Sequence, residues 1–143
     1  MVINEVMHEQ TILHYRLTDP TRSQDYGLGL GYCDGNQRKP MSPDWKGSSG
    51  KHYRFVGPSF TRLASASPGM NNKCGTYAPG YIEDPYAHKI AIGQSSTDVK
   101  VCFNYNIPCK WSTSITITRC PGDFFVYKLP DTPECSLRYC GGP

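Results

Sequence analysis

The sequence predicts a mainly β fold: a disulfide-stapled, sandwich-like single domain over residues 1–143, with long loops and little helix. Three observations carry this. Several short segments either alternate apolar and polar residues or are rich in β-branched ones, and Gly, Pro, Asn or Ser bounds each of them. No window of about 12 residues shows an apolar stripe of helical period. Seven cysteines accompany a hydrophobic content of only 38%, so covalent links are expected to supplement a modest core.

Taken in order, residues 6–17 hold a short segment around Ile12-Leu13-His14-Tyr15-Arg16 that reads either as a strand or as a helical turn. Residues 25–34 alternate glycine (Gly27, Gly29, Gly31) with larger side chains and read as a loop with packing aromatics. No strand precedes them and no helix follows, so they are not a dinucleotide fingerprint. Residues 34–50 form a long Gly/Pro/Ser/Asn-rich loop. Residues 52–56 alternate as a strand does and stop at Gly57-Pro58. Residues 57–80 read as loop, with Ser67-Pro68-Gly69 and Ala78-Pro79-Gly80 as turns, and residues 89–92 as a short strand. In residues 98–103 the alternation puts Val99, Val101 and Phe103 on one face. Residues 114–118, β-branched almost throughout, are the clearest strand, and residues 124–129 are an aromatic one. A proline-interrupted loop then leads to Cys135 and Cys140.

Composition excludes several classes. The successive cysteine gaps are 41, 28, 7, 11, 15 and 5 positions, none of which is the close pairing that zinc sites use. Disulfides in an extracytoplasmic setting are the expectation. The net charge is +3 with the basic residues scattered, so no nucleic-acid footprint is present. No apolar run is long enough to span a bilayer. Residues 1–9 are too polar for a signal peptide, and a secreted chain is expected here in processed form. There is no Asn-x-Ser/Thr sequon.

The search for chemistry favours binding over catalysis. None of His8, His14, His52 and His88 sits in a nucleophile elbow or a His-Glu-x-x-His helix. Glu83 and Asp84 are adjacent, and neighbours on a strand point apart rather than across one sugar. Ten Tyr, five Phe and two Trp are many for a small core, so some rings are expected on the surface, where they can pack against a sugar. The densest mixture is the stretch from Tyr81 through Glu83, Asp84 and Tyr86 to His88 and Lys89. It reads either as a sugar-binding loop (Tyr81, Glu83, Asp84, Tyr86, His88) or as a solvated turn with its tyrosines packed inward. Glu83, Asp84, Gln94 and Asp98 form a candidate calcium set, without the spacing of an EF-hand loop.

A family resemblance rests on pieces that run in order through the chain: Tyr26-Gly27 with Gly31-Tyr32-Cys33-Asp34; Tyr53-Arg54-Phe55-Val56-Gly57; Cys74-Gly75-Thr76 with Ala78-Pro79-Gly80-Tyr81; Val101-Cys102, then Cys109 and Trp111; Arg119-Cys120; Phe125-Val126-Tyr127-Lys128-Leu129; and Pro133-Glu134-Cys135 with Leu137 and Tyr139-Cys140. From residue 25 on, the chain resembles the eight-cysteine extracellular domain of the uromodulin type. Residues 25–140 are then the cysteine-rich unit, and residues 1–24 an extension packing on it. The resemblance implies the bridges Cys33–Cys135, Cys74–Cys140 and Cys102–Cys109. In the chain-entropy treatment the first closes a loop that contributes roughly 4–5 kcal/mol and the last about 2–3 kcal/mol. The chain lacks the family's cysteine after the Tyr-Arg-Phe strand and the second of a double cysteine at Cys109, which together look like the loss of one whole bridge. Tyr81 and Asp84-Pro85 stand where the family has Trp and His-Pro, which alters a surface loop.

Small invertebrate members of this type resemble galactose-binding lectins. The resemblance therefore implies a secreted, non-catalytic lectin for terminal galactosides, with calcium as a candidate cofactor. A structural or adhesion module that binds protein is the alternative, and a toxin or inhibitor comes third. Cys120 is left without its family partner, which would lie upstream of Cys33. An odd cysteine implies either an intermolecular bond or a buried inert thiol. A strand-end position near the surface, with a Cys120-linked homodimer, is the expectation.

Overall fold

The computed structural model describes residues 12–35, 40–47 and 51–143. Among the described residues nine strands follow one another: β1 (Tyr15–Leu17), β2 (His52–Phe55), β3 (Arg62–Leu63), β4 (Ala78–Ile82), β5 (Ser95–Tyr105), β6 (Ile107–Cys120), β7 (Phe124–Lys128), β8 (Leu137–Tyr139) and β9 (Gly141–Gly142). The only helical pieces among the described residues are the 3-10 turns Pro20–Arg22 and Gly57–Ser59. Seven strands form one sheet in the order β1-β2-β7-β6-β5-β4-β8, and β3 pairs with β9 as a separate ribbon. The ribbon closes over the large sheet, since Leu63 joins the main core and its N–H donates to the Tyr127 hydroxyl at 3.0 Å. The second layer of the mainly β fold is thus much smaller than the first.

The long β5–β6 hairpin is the sheet's spine. Its alternation buries Val99, Val101 and Phe103 from β5 with Ile115 and Ile117 from β6. Asn106, at φ 62°, makes the tight turn between the two strands, a conformation in which Asn is among the least strained side chains. The three disulfides join the pairs that the family pattern implies: Cys33–Cys135, Cys74–Cys140 and Cys102–Cys109. They pin the loops and the carboxy-terminal strands around this spine.

The structure corrects several sequence expectations. Residues 78–80 are not a turn but the start of β4, held between β5 and β8. Gly80 is there for clearance: a Cβ would lie 2.4 Å from the Phe103 ring and 2.8 Å from the Arg138 carbonyl oxygen. Residues 89–92 are not a strand. Lys89 N–H donates to Tyr86 and Gln94 N–H to Ala91, so two successive turns carry the chain into β5. The ambiguous segment near residue 12 resolves as strand, because β1 finds a parallel partner in β2. The loop of residues 34–50 is anchored in its described part, where Trp45 is buried and stacks on Tyr53 at 4.6 Å.

Cys120 is also corrected. It ends β6 opposite Phe124, but it is 0% exposed and packs with Ile12, Val126 and Phe124. The chain doubles back at once into β7, and the segment at residue 12 covers the thiol from the other side. Burial pushes its pKa up to about 11. The thiol is therefore inert in this conformation, and a second copy has no access to it.

A buried ionic network fastens the segment before β2 to the carboxy-terminal strands. All five guanidinium N–H groups of Arg22 are used: two on Asp34, two on Asp44 and one on the Tyr139 carbonyl. Arg138 lies beside it, donating to Ser42, Thr21, the Cys74 carbonyl and Asp19. Asp44 also accepts from the N–H groups of Thr18 and Asp19. Burial alone would raise its pKa, but the charge and hydrogen bonds of Arg22 prevail and hold it down at about 2. Arg22 and β1 thus pack onto the rest of the domain, through the buried network and through pairing with β2.

Candidate functional site

The stretch after β4 forms a compact turn. Asp84 builds it, its Oδ1 accepting from the Tyr86 N–H at 2.9 Å and its carbonyl from the Ala87 N–H at 3.2 Å. The strand end and the turn after it divide the five expected sugar residues. Tyr81 points into the disulfide cluster, 9% exposed, with its hydroxyl on Asn104 Oδ1 at 3.1 Å. Glu83 follows on the same side, its carboxylate near the Cys102–Cys109 sulfurs and 3.6 Å from Lys100 Nζ. Both partners of that pair are half exposed, so it adds little stability.

His88 lies on the other side, in the main core. It is 8% exposed, with its ring edge-on to Phe125 and Tyr127 and its Nε2 2.7 Å from the Tyr127 hydroxyl. That hydroxyl also accepts from the Leu63 N–H. Burial, with Arg62 nearby, lowers the His88 pKa to about 4, so the imidazole is neutral at physiological pH. Tyr86 is 64% exposed, with Lys89 Nζ 4.8 Å from its ring centre. The turn therefore offers Asp84, Tyr86 and Lys89 to solvent, while Tyr81 and His88 serve as supports.

The expected calcium ligands are not drawn together. Among the described residues, one set of three or more His, Cys, Asp or Glu ligand atoms lies mutually within 4.8 Å: Glu83, Cys102 and Cys109. Its two sulfurs are joined in a disulfide. Asp84 is committed to its turn. Asp98 sits at a break in the β5–β6 register with φ 56°, and the backbone of Gln94 is tied to Ala91 and Arg119. Glu83, Asp84 and Asp98 are thus not in one set of mutually close ligand atoms.

Under the turn lies an open cavity of about 510 Å³, within the range of small-ligand sites. Pro85, His88 and Lys89 come from the turn, Arg62 and Ser65 from β3 and its continuation, and Arg119 and Phe125 from β6 and β7. The guanidinium carbons of Arg62 and Arg119 lie 4.9 Å and 5.9 Å from the Phe125 ring centre. Arg119 is further oriented by Asp123 Oδ1 at 2.8 Å from its Nε and by the Ile90 carbonyl at 2.8 Å from Nη1. A second cavity, of about 350 Å³, adjoins through Arg62 and Phe125 and includes Arg54 and Asp123. A third, of about 190 Å³, lies between Tyr77, Tyr105, Trp111 and Leu137. Sequence reading missed Arg62 and Arg119, which lie far apart in the chain with no local motif. Only the register of β6 against β7 and the closing of β3 over the sheet bring them to one ring.

The family model of the uromodulin-like domain of eight-cysteine type matches residues 53–141. Among curated proteins, the chain is similar to the rat pancreatic secretory granule membrane major glycoprotein GP2, 34% identical over 134 residues, or 91% of this chain and 22% of that protein. The human protein of that name is 33% identical over 128 residues, 89% of this chain and 21% of its own length. Rat uromodulin is 32% identical over 130 residues, 89% of this chain and 17% of its own. The chain thus spans about a fifth of the curated relatives it matches. No helix among the described residues is long and apolar enough to cross a membrane.

Proposed function

The chain belongs to the family of uromodulin-like eight-cysteine domains, an extracellular type of domain, and on that footing we propose that it is a secreted, non-catalytic carbohydrate-binding module for terminal galactosides. The observation that carries this reading is the cavity under the residue 83–89 turn. It offers hydrogen-bond donors from Arg62, Ser65, Lys89 and Arg119 beside an aromatic ring, with exposed Tyr86 at the turn above. A sugar needs that combination, polar groups for its hydroxyls and a ring for its C–H face. The absence of sequons favours a reader of sugar over a carrier.

Catalysis fits less well. Glu83 pairs with Lys100, and an Asp84 oxygen accepts from the Tyr86 N–H, so neither is shown poised across one sugar bond. His88 Nε2 is held by Tyr127 rather than by a nucleophile. The reading includes no calcium step, because Glu83, Asp84 and Asp98 do not form one cluster of ligand atoms.

A glycan array run with and without EDTA tests the proposal. Galactose-terminated glycans should bind, and EDTA should leave binding unchanged. Tyr86→Ala should weaken binding about tenfold, as expected for loss of one aromatic contact in a ligand site, with the melting temperature unchanged. Glu83→Ala should bind normally, and a loss there instead would move the site to the disulfide side. A flat array would refute the lectin reading. It would favour a protein-binding adhesion module, for which the exposed rim of Tyr77 and Ile107 beside Trp111 is the available surface.

A further inference from the structure

We infer that the cavity under the turn contains an anion subsite, so that the preferred ligand is an acidic galactoside, one carrying a sulfate ester or a carboxylate. This rests on the carbohydrate reading and narrows its substrate class. Three cations line the cavity, Arg62, Lys89 and Arg119, and no acidic residue does. His88, the remaining titratable group in the wall, is neutral at physiological pH and neither adds to nor offsets them.

The cations are positioned rather than merely numerous. Phe125 serves as a common floor for two guanidinium groups, each held at cation–π distance from the one ring. Both guanidinium groups and Lys89 from the turn line the one cavity. Of the three, only Arg119 has a carboxylate partner, Asp123 at 2.8 Å. Neither Arg62 nor Lys89 has an acid within salt-bridge distance among the described residues. The site therefore retains excess positive charge at an open cavity.

Asp123 already displays the preference. Its carboxyl is held below the usual carboxylate range by its hydrogen bond to Arg119, with the charges of Arg119 and Arg62 adding to the effect. A sulfate ester or carboxylate presents the geometry that guanidinium forks bind in pairs, with shorter and stronger hydrogen bonds than neutral acceptors give. Arg54 extends the basic surface into the adjoining cavity, its guanidinium carbon 3.8 Å from the Phe124 ring centre. An acidic substituent thus has a cationic seat without displacing a core contact.

The test compares lactose, a sulfated lactose and a sialylated lactose by calorimetry on the full chain at low and moderate salt. At least one acidic form should bind about tenfold tighter than lactose, the low end of what hydrogen bonds to charged groups contribute. Salt should erode that advantage. The sulfated and sialylated arms show which anion fits. Arg62→Gln and Lys89→Gln, both at exposed positions, should each collapse the acidic-to-neutral ratio towards one. Lys46→Gln, in the Trp45 loop, should leave it unchanged. Equal affinities for all three sugars, or a ratio that survives Arg62→Gln, would overturn the subsite while leaving the lectin reading standing. Should no sugar bind, inorganic sulfate titrated against amide chemical shifts decides the matter separately. Shifts confined to residues around Arg62, Lys89 and Arg119 keep an anion site with another ligand, and shifts spread over the surface remove it.

Discussion

Replacing Arg22 by Met tests the claim that a buried ionic network holds the two ends of the domain together. Met roughly keeps the length of the side chain and removes every donor. Arg22 and Asp34 are 0% exposed and Asp44 is 9% exposed. The guanidinium bonds Asp34 through both oxygens, at 2.7 and 2.9 Å, and the Tyr139 carbonyl at 2.9 Å. Met leaves two carboxylates buried with less compensation, since Arg138 Nη2 reaches Asp44 only at 3.9 Å. Breaking a buried pair by removing one partner costs about 3–5 kcal/mol. For a domain of this size each kcal/mol moves the melting temperature by roughly 3 °C, so the variant should melt about 10–15 °C lower. Urea unfolding, followed by Trp fluorescence, gives the free energy directly. The cycle with Asp34→Leu isolates the pair: the double variant should be less destabilised than the two singles combined, by about 1–3 kcal/mol. A loss below about 1 kcal/mol for Arg22→Met, or strict additivity in the cycle, would refute the reasoning and reduce the network to a surface-like pair.

Two further outcomes are expected. The His88 pKa falls from 6.5 in the unfolded chain to about 4 in the fold, so the unfolded state binds more protons between those values. That contribution to stability is complete above pH 6.5 and is lost as pH falls towards 4, by about 3 kcal/mol in all. Urea midpoints across this range should drop for the wild-type chain and stay flatter for His88→Gln; identical slopes would show that His88 is not the group responsible. Cys120, with its thiol pushed up to about 11, should resist iodoacetamide at pH 8 in the native state and react fully in urea. The non-reducing gel should show a monomer, and rapid native labelling or a covalent dimer would contradict the burial seen here.

The β character was legible in the sequence because it is local. Alternation in residues 98–103 and β-branching in residues 114–118 follow from side chains pointing to opposite faces of a strand, and the β5–β6 spine sits where they predict it. The cysteine pairs were legible through the family pattern, not through spacing. What the sequence left open was decided by partners distant in the chain. Ala78-Pro79-Gly80 has the composition of a turn and becomes a strand because β5 and β8 lie on either side with hydrogen bonds to offer and Phe103 leaves room for Gly80 alone. Cys120 lies at a strand end, as read, but exposure depends on what packs over it, here Ile12 and Phe124. The expected sugar residues are close in sequence, but β4 stops at Ile82 and the chain then turns, so Glu83 stays beside the Cys102–Cys109 sulfurs while His88 folds back onto Tyr127. Arg62 and Arg119 share one ring only because β3 closes over the sheet beside β6 and β7. A linear chain does not display that proximity, since it is produced by burying one face of the sheet.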